Sequence, residues 1–107
     1  MKKLFLFLAL STTIFAQEKI DLGTLKGGGY QILMPAKWNK KLVMYAHGYQ
    51  FMGTPAASAN AGLDKRLRVI LDRGFAIAAS DYPIQGFAMA EGVDATEELR
   101  QAFIKKM

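Results

Sequence analysis

Along residues 18–26, Ile20, Leu22 and, less cleanly, Leu25 alternate with polar neighbours, the period of a half-buried edge strand. Gly27, Gly28 and Gly29 predict a turn. Residues 30–34 predict a second strand, stopped by Pro35 and paired with the first as an antiparallel hairpin. A polar connection over residues 36–41 carries the only tryptophan, Trp38. Residues 42–46, Leu-Val-Met-Tyr-Ala, are apolar without alternation, which suits a strand covered on both faces. They run directly into His47-Gly48, and a loop of small residues follows over 51–62. Leu63, Leu67, Ile70 and Leu71 recur at helical spacing and predict an amphipathic helix over 63–73. Asn60 is placed to cap its start and Gly74 to close its end. A second continuous apolar run, residues 75–79, ends at Ser80-Asp81. A loop with Pro83, Gly86 and Phe87 leads to a last helix from about residue 94. There Asp94 and Glu97 have capping-box spacing, and Leu99, Ala102 and Phe103 form the apolar stripe.

This order of hairpin, then strand, helix, strand, helix predicts an α/β fold. Its second half is a βαβ unit with a right-handed crossover and a mostly parallel sheet. Buried parallel strands need cover on both faces and partners at their edges. Two helices and about four strands supply only part of that. The chain is therefore expected to be the N-terminal, incomplete portion of a larger α/β domain. A compact domain that closes alone or by dimerising is the alternative.

Composition removes several classes of function. The chain has 107 residues, 51% of them hydrophobic and 21% charged, which excludes a disordered or low-complexity chain. It has no cysteine and one histidine, so disulfide scaffolds, thiolate metal sites and cysteine nucleophiles are excluded. No metal or other cofactor is expected. The net charge is +5, and Lys2 and Lys3 contribute two of those charges. The remaining basic residues are spread over several elements. They do not form the stripe that nucleic-acid binding requires. On the predicted helix, Lys65, Arg66, Arg68 and Arg73 read as a solvated face.

Residues 1–16 have the order of a cleavable signal peptide: Lys2-Lys3, an apolar run over 4–10, and a small residue at Ala16. A buried N-terminal helix or strand is the alternative. The run is too short for a transmembrane helix, which needs about 20 apolar residues. Residues 17–107 are thus expected to be the mature domain, secreted or periplasmic and without an integral membrane segment.

The stretch Lys41-Leu42-Val43-Met44-Tyr45-Ala46-His47-Gly48-Tyr49 is a buried strand that ends in His-Gly and a loop. It resembles the oxyanion-hole strand of the α/β-hydrolase superfamily. Pro35-Ala36-Lys37-Trp38-Asn39 resembles the turn before that strand in secreted members. Residues 73–82 resemble the next helix end and strand, and Gly86-Phe87-Ala88 with Glu91-Gly92-Val93-Asp94 resembles the loop and helix start that follow. The resemblance covers residues 30–104 with weak motifs in the right order. It implies an exported serine hydrolase that cleaves an ester or amide through an acyl-enzyme. The substrate would be a small molecule, lipid, polymer or peptide. The resemblance places an oxyanion-binding backbone N–H in the loop after this strand. By position that is the N–H of Tyr49, with Gln50 as the neighbouring choice. Gly48 would let the chain turn, and His47 would be a scaffold residue rather than the general base.

No G-x-S-x-G occurs. An internal triad of His47, Ser80 and Asp81 is disfavoured, because Ser80 and Asp81 are adjacent and their side chains diverge. Ser58 has no motif. Asp81 reads as a cap for the N–H groups of the following loop. Tyr45 and Tyr49 stay open between packing and substrate contact, and Trp38 reads as packing or surface cover. The glycines at 27–29 are not a phosphate loop, since no Lys-Ser/Thr follows. This chain would then carry the scaffold and half an oxyanion hole but none of the catalytic side chains, and would be inactive alone. The alternative is a small exported binding or structural protein without catalysis.

Overall fold

A computed structural model describes residues 17–107. The leader expected at residues 1–16 lies outside the described residues. Four strands, β1 (Lys19–Leu25), β2 (Gly28–Met34), β3 (Leu42–Ala46) and β4 (Ala76–Ser80), form one sheet in the order β1-β2-β4-β3. β2 pairs antiparallel with both β1 and β4, whereas β3 and β4 are parallel. The sheet is therefore mixed, not mostly parallel. The crossover from β3 sets β4 down between β3 and the hairpin, and β2 runs against β4 there.

The hairpin turns at Lys26-Gly27, with φ of 49° and 86°. Two positive φ values suit the tight turn that matches strand twist. Gly28 and Gly29, expected in the turn, are instead the first residues of β2. They make room for the chain leaving β4. A Cβ at residue 29 would lie 2.8 Å from the Asp81 carboxylate, and one at 28 would lie 3.1 Å from the Tyr82–Pro83 backbone.

The expected helix over 63–73 forms as two short pieces, α1 (Leu63–Arg66) and α2 (Arg68–Asp72), which meet at Leu67. Gly62, in the left-handed conformation, precedes α1, and no side chain caps it. Asn60 is not the cap; it ends a 3-10 turn (Ala56–Asn60) and points inward. Gly74 does close α2, at φ +91° with its N–H on the Leu71 carbonyl at 2.9 Å.

The last helix, α3 (Met89–Lys106), begins five residues before Asp94. Asp94 and Glu97 therefore lie inside it and form no capping box. Packing of its first turns against the end of β4 sets its start, as described below.

All five residues of β4 are buried. On one face, Ile32, Ala76 and Ala78 pack with Leu99 and Phe103 of α3. On the other, Leu33, Ile77 and Ala79 pack with Leu63 and Leu71 of α1 and α2. Helices thus cover both faces, which explains why the apolar run at β4 has no alternation. Trp38 packs edge-on to Phe103 at 5.8 Å and donates its ring N–H to the Lys41 carbonyl at 2.9 Å. Among the described residues, no helix is long and apolar enough to cross a membrane.

Candidate functional site

The parallel strands β3 and β4 end side by side, at Ala46 and Ser80. In open α/β sheets, ligands bind outside the carboxyl ends of such strands. A cleft of about 470 Å³ lies there, between the loop after β3, the loop after β4 and the first turns of α3.

Tyr82 holds the two strand ends together. Its ring stacks on the His47 ring, with centroids 3.8 Å apart. Its hydroxyl donates to the His47 carbonyl at 2.8 Å, and its N–H donates to Ser80 Oγ at 3.0 Å. These contacts hold Tyr82 at φ +66°, a conformation that costs a non-glycine residue roughly 1–2 kcal/mol. Burial pushes the Tyr82 phenol above its ordinary range; the Thr96 hydroxyl pulls against that and Tyr45 adds to it. The phenol therefore stays neutral and keeps its proton for the His47 carbonyl. The ring also rests on α3. A Cβ at residue 92 would lie 2.9 Å from it, so Gly92 is where helix and strand end meet. That contact explains the early start of α3.

Asp81 is nine-tenths buried, and its carboxylate accepts from the Asn60 side-chain amide at 2.8 Å. The same amide nitrogen donates to the Ser80 carbonyl at 3.0 Å. Both neighbours are acceptors, which fixes the orientation of the amide. Asp81 thus binds a fully buried side chain rather than capping N–H groups of the following loop. Its own N–H donates to the Gly29 carbonyl at 2.8 Å.

The residues singled out in the sequence divide between the cleft and its supports. His47 lines the cleft, and both its nitrogens face backbone carbonyl oxygens: Nδ1 faces Gly48 at 2.7 Å and Nε2 faces Asp81 at 3.2 Å. A neutral imidazole can donate to only one of these. In this arrangement His47 fastens the loop.

Gly48 also lines the cleft, but not because a turn requires glycine. A Cβ there would meet nothing within 4 Å, and its φ is not in the left-handed region. Its missing side chain leaves the cleft mouth open. Tyr49 is 62% exposed, with its ring edge-on to Phe51 at 5.3 Å. Among the described residues, no group accepts a hydrogen bond from the Tyr49 N–H.

Gln50 is a support. Its side-chain nitrogen donates to the Pro55 carbonyl and to Ser58 Oγ, both at 2.9 Å, and its backbone bridges to Gly86. Its carbonyl accepts the Gly86 N–H at 2.7 Å. This bridge ties together the loops that follow β3 and β4.

Sequence reasoning missed Phe87, Met89 and Val93, which supply much of the apolar lining. Phe87 and Val93 stood only within the weak stretches around Gly86 and Gly92; otherwise all three read as an apolar residue in a loop or on a helix, as ordinary surface positions do. Tyr82 carries no signal of its own in the sequence, because its role depends on a stack with a residue far away in the chain. Among the described residues, no three His, Cys, Asp or Glu side chains gather as a metal ion would require. No protein-family model, curated protein or solved structure matches the chain.

Proposed function

We propose that this chain forms the oxyanion-binding side of an exported serine hydrolase, which cleaves esters or amides through an acyl-enzyme. The observation that supports it is the Tyr49 N–H. It has no acceptor among the described residues and sits just past the end of β3, on a residue that lines the cleft. Acyl transfer develops negative charge on a carbonyl oxygen, and a fixed N–H aimed at that oxygen stabilises it. His47, whose ring nitrogens face the Gly48 and Asp81 carbonyls and whose ring stacks on Tyr82, holds the loop so that this N–H keeps its position. Ser80 is buried with its Oγ accepting the Tyr82 N–H, and no G-x-S-x-G occurs, so under this reading the nucleophile, base and acid come from beyond these 107 residues. The mature chain starts at Gln17 and is secreted or periplasmic.

The test is to read the transcript past codon 107, express the complete reading frame and assay p-nitrophenyl butyrate hydrolysis and fluorophosphonate labelling. The expected result is turnover with a labelled serine beyond residue 107. Tyr49→Pro, which removes the N–H, should lower kcat about 10²–10³-fold. An inert, unlabelled product, or turnover unchanged by Tyr49→Pro, overturns the reading.

A second reading, an exported binding protein without catalysis, is favoured by the apolar side chains at the cleft mouth, with Phe87 81% exposed. Inertness in the same assay, together with saturable binding of an apolar ligand, would support it.

A further inference from the structure

The cleft has a chemical character that neither reading specifies. Its volume, about 470 Å³, falls within the range of small-molecule sites. Aromatic rings of Tyr49, Tyr82 and Phe87 line it, with Met89 and Val93 from α3. Met89 and Val93 are each about two-thirds exposed, and Phe87 more so. A ligand would therefore remove apolar surface from water, and the Met89 side chain can adapt to its shape.

The charge is equally one-sided. No lysine or arginine lines the cleft, and its one carboxylate is Glu97. Arg100 and Gln101 hold Glu97 ionised by bonding its oxygens at 2.5–3.0 Å. Arg100 is paired with Glu97, so an anionic ligand would find no free cation in the lining to offset the loss of its hydration. An uncharged apolar ligand meets rings and methyl groups.

We propose that the cleft binds an uncharged alkyl chain of a small molecule. It rests on the hydrolase reading only in taking that chain to be the apolar part of the substrate ester. With no cation in the lining to pair with a carboxylate, the free fatty acid is not the preferred occupant, and a product acid would be held less tightly than the neutral ester.

The experiment is an amide-shift NMR titration of the mature protein, from Gln17 to the end of its complete reading frame, with 1-butanol, 1-hexanol and 1-octanol, and with octanoate as the charged match. Saturable shifts are expected at Tyr49, Phe87 and Val93. Kd should tighten about fourfold per added methylene until the cleft is filled. Octanoate should bind at least tenfold more weakly than 1-octanol. Val93→Asp should weaken 1-octanol binding at least tenfold, and Phe87→Ser offers the same test if that variant does not fold. Absence of saturable shifts overturns the proposal. So do shifts confined to a second groove, which Trp38, Leu42, Met44 and Phe103 line on another part of the surface, or equal affinity for octanoate.

Turnover by the complete reading frame separates this proposal from the hydrolase reading. Octanol binding without turnover leaves the site standing and removes the hydrolase. Turnover without octanol binding does the reverse.

Discussion

Replacing Asn60 by alanine removes the one side chain that donates to both the Asp81 carboxylate and the Ser80 carbonyl. Asn60 is fully buried, and Asp81 is nine-tenths buried. Water therefore cannot easily take over either bond. A hydrogen bond to a charged group contributes about 1.5–3 kcal/mol, and one to a neutral carbonyl about 1 kcal/mol. Against this, the amide's own oxygen is buried with no partner among the described residues, and its deletion returns part of the loss. The net cost should be about 2–3 kcal/mol, a fall in Tm of roughly 8–24 °C for a domain of this size. Urea unfolding followed by circular dichroism measures it. Asn60→Ala/Asp81→Ala removes both partners and should be more stable than the sum of the single losses, by about 1 kcal/mol or more. If Asn60→Ala unfolds within 0.5 kcal/mol of the parent, or the double variant shows no coupling, the buried carboxylate is not held as argued.

Gly74→Ala should cost at least about 2 kcal/mol, because residue 74 sits at φ +91° and its new Cβ would lie 2.8 Å from the Lys37 carbonyl oxygen; thermal unfolding reads this directly. Tyr82→Phe keeps the stack on His47 but leaves the His47 carbonyl without its donor, and should cost roughly 1–2 kcal/mol in the same assay. The Glu97 carboxyl is lowered to about 2 by bonds from Arg100 and Gln101. Its folded value lies below the unfolded one, so any stability it adds is present above the ordinary glutamate range and is lost as pH falls from there towards 2. Exposure keeps that contribution small. An NMR titration should place the Glu97 midpoint near 2, and Arg100→Met should move it back towards the ordinary glutamate range.

The parts of the fold set by local pattern could be read from the sequence. The two continuous apolar runs became β3 and β4, but only β4 is buried throughout; β3, at the sheet edge, is half-buried with Ala46 exposed. Gly74 ended its helix, because a left-handed cap leaves a mark within a few residues. The parts set by distant partners could not. Asn60 has the chemistry of a helix cap, but its best acceptors lie at Ser80 and Asp81 across the fold. Asp94 and Glu97 have cap spacing, yet contact between Gly92 and Tyr82 starts the helix earlier. Gly28 and Gly29 look like turn residues, whereas they give space to Asp81 and Tyr82. The candidate site shows the same division. His47-Gly48-Tyr49 could be picked out as a strand end followed by a loop. The stack of Tyr82 on His47 and the lining from Phe87, Met89 and Val93 exist only after β3, β4 and α3 have come together.

The position of β4 has a consequence for how the molecule assembles. β4 is the last of the four described strands in chain order, yet it lies between β2 and β3, pairing Tyr30 with Ser80 on one side and Val43 with Ile77 on the other. The β1–β2 hairpin can form as soon as it is made, since its turn is local. β3 cannot be paired until a chain segment longer than itself has crossed over and returned. During that interval, Leu42 to Tyr45 is an apolar strand with both edges bare, the kind of segment that pairs with neighbouring chains. Assembly is therefore governed by closure of the long connection through α1 and α2, and that connection sets the folding rate. A chain stopped before residue 76 should aggregate, whereas one extended just past Ser80 holds all four of the described strands.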